Sequence, residues 1–132
     1  MNAEIIMASL LNVAGITALV GARKALGQMP QNSAFPAIVY NLISNTPMPN
    51  VAYQNGPQRA KARIQINPLA LTVPEVKSIH AAIRTALDFK HQTTVAGKLV
   101  VSCRISGMGI MERDNDAGVW TQPADYILEY YE

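Results

Sequence analysis

The clearest pattern of apolar and polar positions in this chain lies at residues 59–67, which read Arg-Ala-Lys-Ala-Arg-Ile-Gln-Ile-Asn. Every odd position is polar and every even position is apolar, as in a strand with one solvated face and one buried face. The strand is expected to end at Pro68, because proline has no N–H to donate to a sheet. The pattern places Arg59, Lys61 and Arg63 side by side on the outer face, and we call these three residues the basic row.

An amphipathic helix is predicted directly after this strand. Thr72 and Glu75 have the spacing of a capping box, in which a threonine and a glutamate satisfy N–H groups at a helix start. From residue 73 to about residue 89, apolar residues and one histidine recur every three or four positions, as on one face of a helix. Its members are Val76, Ile79, His80, Ile83 and Leu87. The strand and the helix are therefore expected to bury their apolar sides in one core.

Two short helices and a buried strand are predicted before this pair. Residues 3–12 have the apolar spacing of a helix, and Gly15 is expected to prevent the helix from continuing. Residues 16–26 predict a second short helix that ends at Gly27, a residue type common just after a helix. Residues 37–44 are almost continuously apolar, which is typical of a strand covered on both faces.

The rest of the chain predicts one long loop and three further strands. Residues 45–57 contain prolines, asparagines and a glycine, which indicates a loop, and loops of that length are usually disordered or functional. The C-terminal part predicts a short strand at 93–95, a half-buried strand at 99–106, a turn at 114–118 and a closing strand at 119–132, with a bulge or an edge position at Gln122–Pro123. The element order is α(α)-β-β-α-β-β. The expected fold class is α+β, an antiparallel sheet of about four strands with an N-terminal helix and one central amphipathic helix packed on it.

Length and composition predict one domain, residues 1–132, that associates with other subunits. The chain is long enough to bury a core without disulfides. Its hydrophobic fraction of 49% with only 15% charged residues leaves apolar surface for a subunit interface. A net charge of +2 is too small to indicate nucleic-acid binding by bulk electrostatics. The N-terminus lacks the basic region of a signal peptide, which favours synthesis and use in the cytoplasm, and no membrane partner is expected.

No catalytic residue, cofactor site or metal site is predicted. His80 and His91 have no carboxylate or cysteine at ligand spacing, so both are interpreted as ordinary buried or solvated histidines. Cys103 is the single cysteine, which excludes an internal disulfide and fits a reducing compartment. It lies on the apolar side of its strand and has no candidate base nearby in sequence, so it is interpreted as a small core residue. The protein is not expected to be an enzyme.

The acidic residues near Asp114 and Asp116 resemble a calcium loop only superficially. Counted from Asp114, Gly118 occupies a position that should provide a ligand, and Val119 occupies the position that requires glycine for a sharp turn. A hairpin turn is the favoured interpretation of these residues.

The basic row has two interpretations. It is either a binding stripe for carboxylates of a partner or phosphates of DNA, or a solvated sheet face. The solvated face is favoured as the more common role of charged residues on a strand. No aromatic residues alternate with the basic ones, so a stacking platform for single-stranded nucleic acid is not supported. A small nucleic-acid-binding module that uses this face stays open as an alternative function.

The order of several short motifs resembles a known family, the tail completion or tail terminator proteins of long-tailed bacteriophages, also called minor tail or tail-to-head joining proteins. The motifs follow the family order over nearly the whole chain. They are Ala-Leu-Val-Gly at 18–21, Pro-Gln at 30–31 leading to the apolar strand at 35–40, Arg-Ile-Gln-Ile at 63–66, Ala-Ile-Arg-Thr-Ala-Leu at 82–87 and Asp-Tyr-Ile-Leu-Glu-Tyr at 125–130. One departure is Asn67-Pro68-Leu69, where the family pattern has further strand-like residues.

The resemblance implies a structural protein of the virion tail, assembled in the host bacterial cytoplasm. Such a protein forms a homohexameric ring that caps the tail tube, stops its growth and presents a docking surface to the head–tail connector. The implied partners are other copies of the chain, the tail tube protein and the connector protein, while DNA only passes through the ring lumen. A neck or connector adaptor of the same phage module is the alternative role within this resemblance.

Three surfaces are candidates for interfaces, chosen because exposure is expected there rather than from family motifs. They are the basic row, the loop at 45–57 and the turn at 112–118. The candidate residues of the loop and the turn are Asn50, Tyr53, Asn55, Arg113, Asp114 and Asp116.

Overall fold

The computed structural model describes residues 2–29, 34–49, 51–53 (without the Tyr53 side chain) and 56–132. These ranges contain three α-helices, which are α1 (Asn2–Leu11), α2 (Ala14–Val20) and α3 (Val73–Leu87), and a 3-10 turn at Val51–Tyr53. They also contain eight strands: β1 (Lys24–Leu26), β2 (Ala37–Met48), β3 (Arg59–Ala70), β4 (Lys90–Val95), β5 (Lys98–Met108), β6 (Glu112–Asp114), β7 (Val119–Thr121) and β8 (Ala124–Tyr131). The predicted α+β class is confirmed.

The strands form one mixed sheet in the order β1-β2-β3-β8-β5-β4. The short strand β1 runs parallel to β2, and the other paired strands are antiparallel. At one end of the sheet, β7 pairs with the last residues of β3 and with β6. The sheet thus has eight strands in the described ranges, where about four were predicted. The four long strands β2, β3, β5 and β8 are the main ones that the sequence predicts.

The alternation along β3 divides the sheet into a covered and an open face. Every even residue from Ala60 to Ala70 is buried, whereas Lys61 and Arg63 on the other face are exposed. Strand β8 repeats the pattern, with Tyr126, Leu128 and Tyr130 among its buried residues. The three helices cover the buried face, so the other face of the sheet is the open face.

Helix α3 has the start and the buried stripe that its sequence predicts. The Thr72 hydroxyl accepts a hydrogen bond from the Glu75 backbone N–H at 3.4 Å, so this threonine caps the helix. All five stripe residues predicted for it are buried. The helix ends at Leu87, where the following Asp88 side chain accepts a bond from the Ile105 backbone N–H at 3.1 Å. This contact ties the helix end to β5.

Two predicted boundaries are wrong for identifiable reasons. Residues 24–26 were predicted as the end of a helix but form strand β1, because α2 ends at Val20 and the chain then pairs with β2. Pro68 was predicted to end β3 but lies inside it, opposite Ile38. The Ile38 N–H bonds to the Arg23 carbonyl on the β1 side, so this pair exchanges no backbone hydrogen bond. On its other side, Pro68 lies where β3 passes from β8 to β7, and none of the described residues pairs with it there.

The loop predicted at 45–57 is shorter than expected. Strand β2 continues to Met48, with a bulge between Leu42 and Ser44, and the 3-10 turn follows it. Within the described residues, no single helix is long and apolar enough to cross a membrane; α1 and α2 reach that length only together, across an 80° bend.

Candidate assembly surfaces

The basic row lies on the open face, as predicted, but two of its residues form ion pairs with β8. The Arg59 guanidinium lies 2.6 Å from the Glu129 carboxylate, and that of Arg63 lies 2.5 Å from the Asp125 carboxylate. Both arginine side chains are about half exposed, at 42% and 50%. The open face therefore carries positive and negative side chains next to each other, rather than a row of positive charge available for DNA phosphates.

Electrostatics at Glu129 show how these charges interact. The hydrogen bond from Arg59 is the main reason that the pKa of the Glu129 carboxyl lies below its usual value, with smaller contributions from the positive charges of Arg104 and Lys61. Lys61 is exposed and directly faces Glu129 in the strand register. Since surface ion pairs contribute only ~0–1 kcal/mol each, the row shapes the charge pattern of this face more than it stabilises the fold.

The candidate loop residues lie at one end of the sheet. Asn50 and Asn55 lie outside the described residues, and Tyr53 closes the 3-10 turn with its side chain also outside them. Beside it, Val51 is 80% exposed. The Glu132 backbone N–H bonds to the Gln58 carbonyl at 2.9 Å, which joins the C-terminus to the base of this loop. We call this region the loop end.

The predicted turn at 114–118 is confirmed as the tip of the β6–β7 hairpin, which we call the arm (residues 109–123). The Asp114 carboxylate accepts hydrogen bonds from the N–H groups of Asp116 and Ala117, and Gly118 adopts a positive φ of 70° that favours glycine. The Arg113 guanidinium donates to the Asn115 side chain at 2.7 Å. Asp114 therefore shapes the turn, and Asp116 presents its carboxylate at an exposed tip.

A buried glutamine attaches the arm to α3, a role that the sequence does not reveal. The Gln122 side chain accepts a hydrogen bond from Lys77 and donates one to the Gly109 carbonyl, both at 3.0 Å. The His80 ring lies 2.7 Å from the Gln122 carbonyl through its Nε2 atom, which donates the hydrogen. Sequence patterns identified Gln122 only as part of a bulge, because its partners are 13 to 45 residues away.

Close packing between Gly109 and Pro123 completes this attachment. The Gly109 N–H donates to the Pro123 carbonyl at 2.8 Å. A Cβ atom placed on Gly109 would lie 2.7 Å from the Pro123 ring, so a side chain has no room there. Glycine at this position therefore permits the two chain segments at the base of the arm to approach closely.

The three predicted surfaces do not form one site. The loop end adjoins Arg59 and the arm pairs with Ala70, which are the two ends of strand β3. At about 3.3 Å per residue, its 12 residues separate these ends by roughly 35 Å. The basic row lies between them on the open face. The structure thus presents two distant ends and one face instead of a single functional cluster.

The residues with potential chemistry are held in the core. Burial, followed by the nearby Asp88 charge, raises the pKa of the Cys103 thiol to about 12, so the thiol stays protonated and unreactive at neutral pH. Burial also lowers the pKa of His80 and raises that of Tyr126. Among the described residues, no three His, Cys, Asp or Glu side chains are grouped closely enough to hold a metal ion.

A further surface becomes visible once the sheet is built, the edge formed by β1 and β2. Residues 25–58 contain no Asp, Glu, Lys, Arg or His, a run of 34 positions in a chain with 20 Asp, Glu, Lys and Arg residues. Strand β1 covers the outer side of β2 only at residues 38–40, and residues 43–47 of β2 are all exposed. We call the described residues of β1 and β2 in this run the uncharged edge.

An apolar groove lies at the opposite side of the sheet. It has a volume of about 460 Å³ and runs between α1, α3 and β4. Six of its lining residues are apolar and five carry a polar group: Ser9, Leu10, Val13, Gly15, Ala82, Thr85, Ala86, Lys90, Thr93, Thr94 and Val95. Among these described residues Lys90 alone is charged.

Two solved structures have the same fold over almost their whole length. A chain of a structure titled "Virion of native gene transfer agent (GTA) particle" superposes with a TM-score of 0.70 at 15% sequence identity, covering 98% of this chain and 93% of that one. A second solved chain superposes with a TM-score of 0.62 at 13% identity, covering 99% and 95%. At these identities, the likeness concerns the fold.

The family comparison is more specific. No curated protein matches the sequence. The family model described as "Tail completion protein gp17" matches residues 4–122, which include α1 from Glu4 onward, the basic row, α3 and the arm up to Gln122. The resemblance drawn from the order of sequence motifs is thereby confirmed. The protein belongs to the tail completion family, and it is a structural protein of phage tails.

Proposed function

We propose that this protein is a tail terminator. In this proposal, residues 1–132 act as one domain, and six copies form a ring on the last ring of the tail tube, stop its growth and provide the docking surface for the head–tail connector. The match of the tail completion family to residues 4–122 is the observation that carries the proposal. The shared fold with a chain of a gene transfer agent virion supports it. The ring assembles in the host cytoplasm and then remains in the virion tail.

The two ends of the sheet suit a subunit between two different partners. Residues 45–58 of the loop end carry no charge and include the exposed Val51, with Glu132 beside them, whereas the arm carries Glu112, Asp114 and Asp116 against one Arg113. Surfaces that differ in charge and lie roughly 35 Å apart can bind different proteins at the same time. We propose that one end contacts the tail tube protein and the other end contacts the connector protein.

The open face is the proposed wall of the ring lumen. Its cross-strand ion pairs balance part of the positive charge of the basic row. Such a surface attracts DNA less than an unpaired row of arginines would, because nonspecific binding follows the phosphate contacts made by free cations. A wall of this kind allows DNA to pass without holding it.

Tube growth in vitro tests the proposal. Tail tube protein polymerised with this protein is expected to give tubes that stop growing, with density for a ring at one end in electron micrographs. Asp116→Lys at the arm and Val51→Asp at the loop end are each expected to impair one activity, either tube capping or connector binding. Ala81→Lys on the exposed surface of α3 is the matched control and should impair neither.

A neck or connector adaptor makes a different prediction in the same assay. Such a protein would bind the connector but leave tube length unchanged. Tubes of unaltered length, with no protein at their ends, would contradict the terminator role. A protein that bound double-stranded DNA with a steep salt dependence and ignored tubes would instead point to the nucleic-acid module.

A further inference from the structure

The uncharged edge is unusual for the exposed border of a sheet. Proteins normally protect such borders with charged side chains, often lysine, which discourage association. Here the exposed residues of β2 carry no charge, and two large aliphatic side chains are solvent-exposed, Leu26 at 45% and Ile43 at 50%. Cores of protein interfaces are depleted of charged residues, so this composition indicates a surface that another protein covers.

The edge is built for contact through side chains rather than through strand addition. The bulge between Leu42 and Ser44 makes Ile43 an extra residue in the strand, and Pro47 removes one N–H group further along. Bulges and prolines both interfere with pairing by a foreign strand. Leu26 lies opposite Tyr40, three residues before Ile43, so the backbone positions of these two residues lie roughly 10 Å apart along the edge.

The groove between α1, α3 and β4 is complementary to this edge. Its volume of about 460 Å³ is about three times the ~150 Å³ cavity that one large core side chain leaves, so it has room for both aliphatic side chains. Its described lining contains no carboxylate and one cation, Lys90, whose flexible stem lets its charge stay in water. An uncharged edge would therefore enter it without burying an unpaired acid.

The positions of edge and groove determine what kind of assembly results. Strands β1 and β4 are the two ends of the sheet order, so the edge and the groove lie at opposite borders of the subunit. Five strand spacings of about 4.8 Å separate them by roughly 24 Å. A contact between two different patches of one chain is heterologous, and repeated through successive copies it produces a ring when the rotation closes.

We infer that Leu26 and Ile43 of one copy insert into the groove lined by Val13, Ala86 and Thr94 of the next copy. This contact rests on the proposed ring and assigns its subunit interface. It also gives the charge-free composition of β2 a function, because each copy covers the border that its neighbour exposes.

Cysteine cross-linking tests the contact in the full-length chain. Ile43→Cys and Thr94→Cys are combined in one variant, and the protein is oxidised after assembly on tail tubes and at high concentration in solution. The two positions are too far apart within one copy for a disulfide, which needs Cα atoms within about 7 Å. Cys103 is buried and does not react. The expected result is a ladder of covalent oligomers that ends at the ring size.

The single-cysteine variants are the matched controls. Ile43→Cys alone and Thr94→Cys alone are expected to give no covalent oligomer, since each position faces a different patch. A dimer from either single variant, without a ladder from the double variant, would indicate a symmetric contact and overturn the inference. If the double variant caps tubes but runs as an uncross-linked monomer after oxidation, the inferred contact is overturned, whereas the terminator role stands.

Charge substitution gives a second, independent test. Ile43→Lys is expected to weaken assembly roughly tenfold or more, because a second positive charge would enter the groove beside Lys90. Adding Thr94→Asp should restore assembly to within about threefold by pairing that charge. Leu71→Lys, at an exposed leucine away from both patches, should assemble like the wild type. Wild-type assembly by Ile43→Lys would contradict the contact. A ladder in solution with no capping of tubes would retain the contact and reject the terminator role.

Discussion

Replacing Gln122 by alanine tests the attachment of the arm to the core. The substitution removes the acceptor for Lys77 and the donor for the Gly109 carbonyl, both at 3.0 Å. It keeps the backbone carbonyl that accepts the hydrogen bond from His80. The perturbation is therefore confined to two side-chain hydrogen bonds, one that connects the arm with α3 and one that connects its two ends at Gly109 and Gln122.

The expected cost follows from the surroundings of the two partners. Each hydrogen bond contributes about 0.5–1.5 kcal/mol, and a bond from a charged donor can contribute more. Lys77 is exposed and regains water when its partner is removed, so the charged bond is counted in the same range. Gln122→Ala should thus lower the free energy of unfolding by about 1–3 kcal/mol.

The single tryptophan makes the effect on the arm visible. Trp120 lies in β7, so its fluorescence reports on the arm, while circular dichroism reports on the whole sheet. Urea denaturation of Gln122→Ala should show the fluorescence change at lower urea than the dichroism change. Native-state hydrogen exchange should show faster exchange of the Gly109 amide, which bonds to the Pro123 carbonyl.

Gln92→Ala, at an exposed glutamine in β4, is the control and should stay within about 0.5 kcal/mol of the wild type. Unchanged stability and unchanged Gly109 exchange in Gln122→Ala would refute the role assigned to this side chain.

Three further predictions use other parts of the structure. Burial lowers the pKa of His80, so the unfolded chain takes up a proton on this histidine at a higher pH than the folded chain does. The contribution of neutral His80 to the free energy of unfolding is therefore fully present above about pH 6.5 and is lost as the pH falls below it. His80→Gln should reduce this loss in denaturation curves measured from pH 7.5 to 5. Gly109→Ala should cost about 1–3 kcal/mol through its clash with Pro123, whereas Gly107→Ala, with open space around its Cβ position, should cost much less in thermal melts; equal costs would disprove the clash. Changing all three residues of the basic row to serine should leave the fold intact by circular dichroism, and unchanged oligomerisation and tube binding would identify the row as a solvated face.

Sequence periodicity predicts the parts of the fold whose causes are local. Alternation in residues 59–67 predicts the two faces of β3, and the spacing after Thr72 predicts the start and the buried side of α3. Both signals arise from neighbouring residues on one strand or one helix face. Both signals can therefore be recognised without knowing which elements pack against the strand or the helix.

Elements that depend on distant partners are not predictable in this way. Residues 24–26 have helix-like neighbours and become a strand only because β2 is available beside them. Pro68 continues β3 because the opposite residue, Ile38, directs its N–H towards β1. In both cases a long-range pairing overrides the local preference.

The candidate surfaces follow the same division. The exposure of the basic row is a local property and was predictable, whereas its pairing with Asp125 and Glu129 requires the register of β3 against β8. The two partners lie 62 and 70 residues from their arginines. The groove and the uncharged edge are likewise surfaces of the assembled sheet. Only the absence of charge in residues 25–58 is a sequence signal that could have identified the edge.

Imaging of capped tube ends tests the central claim most directly. Tubes grown from tail tube protein in the presence of the full-length chain are examined by cryo-electron microscopy, and the terminal density is averaged without imposed symmetry. The proposed function predicts a single ring of six copies of this chain at one tube end. Tubes of undiminished length, with bare ends or with this chain scattered along their sides, would contradict it.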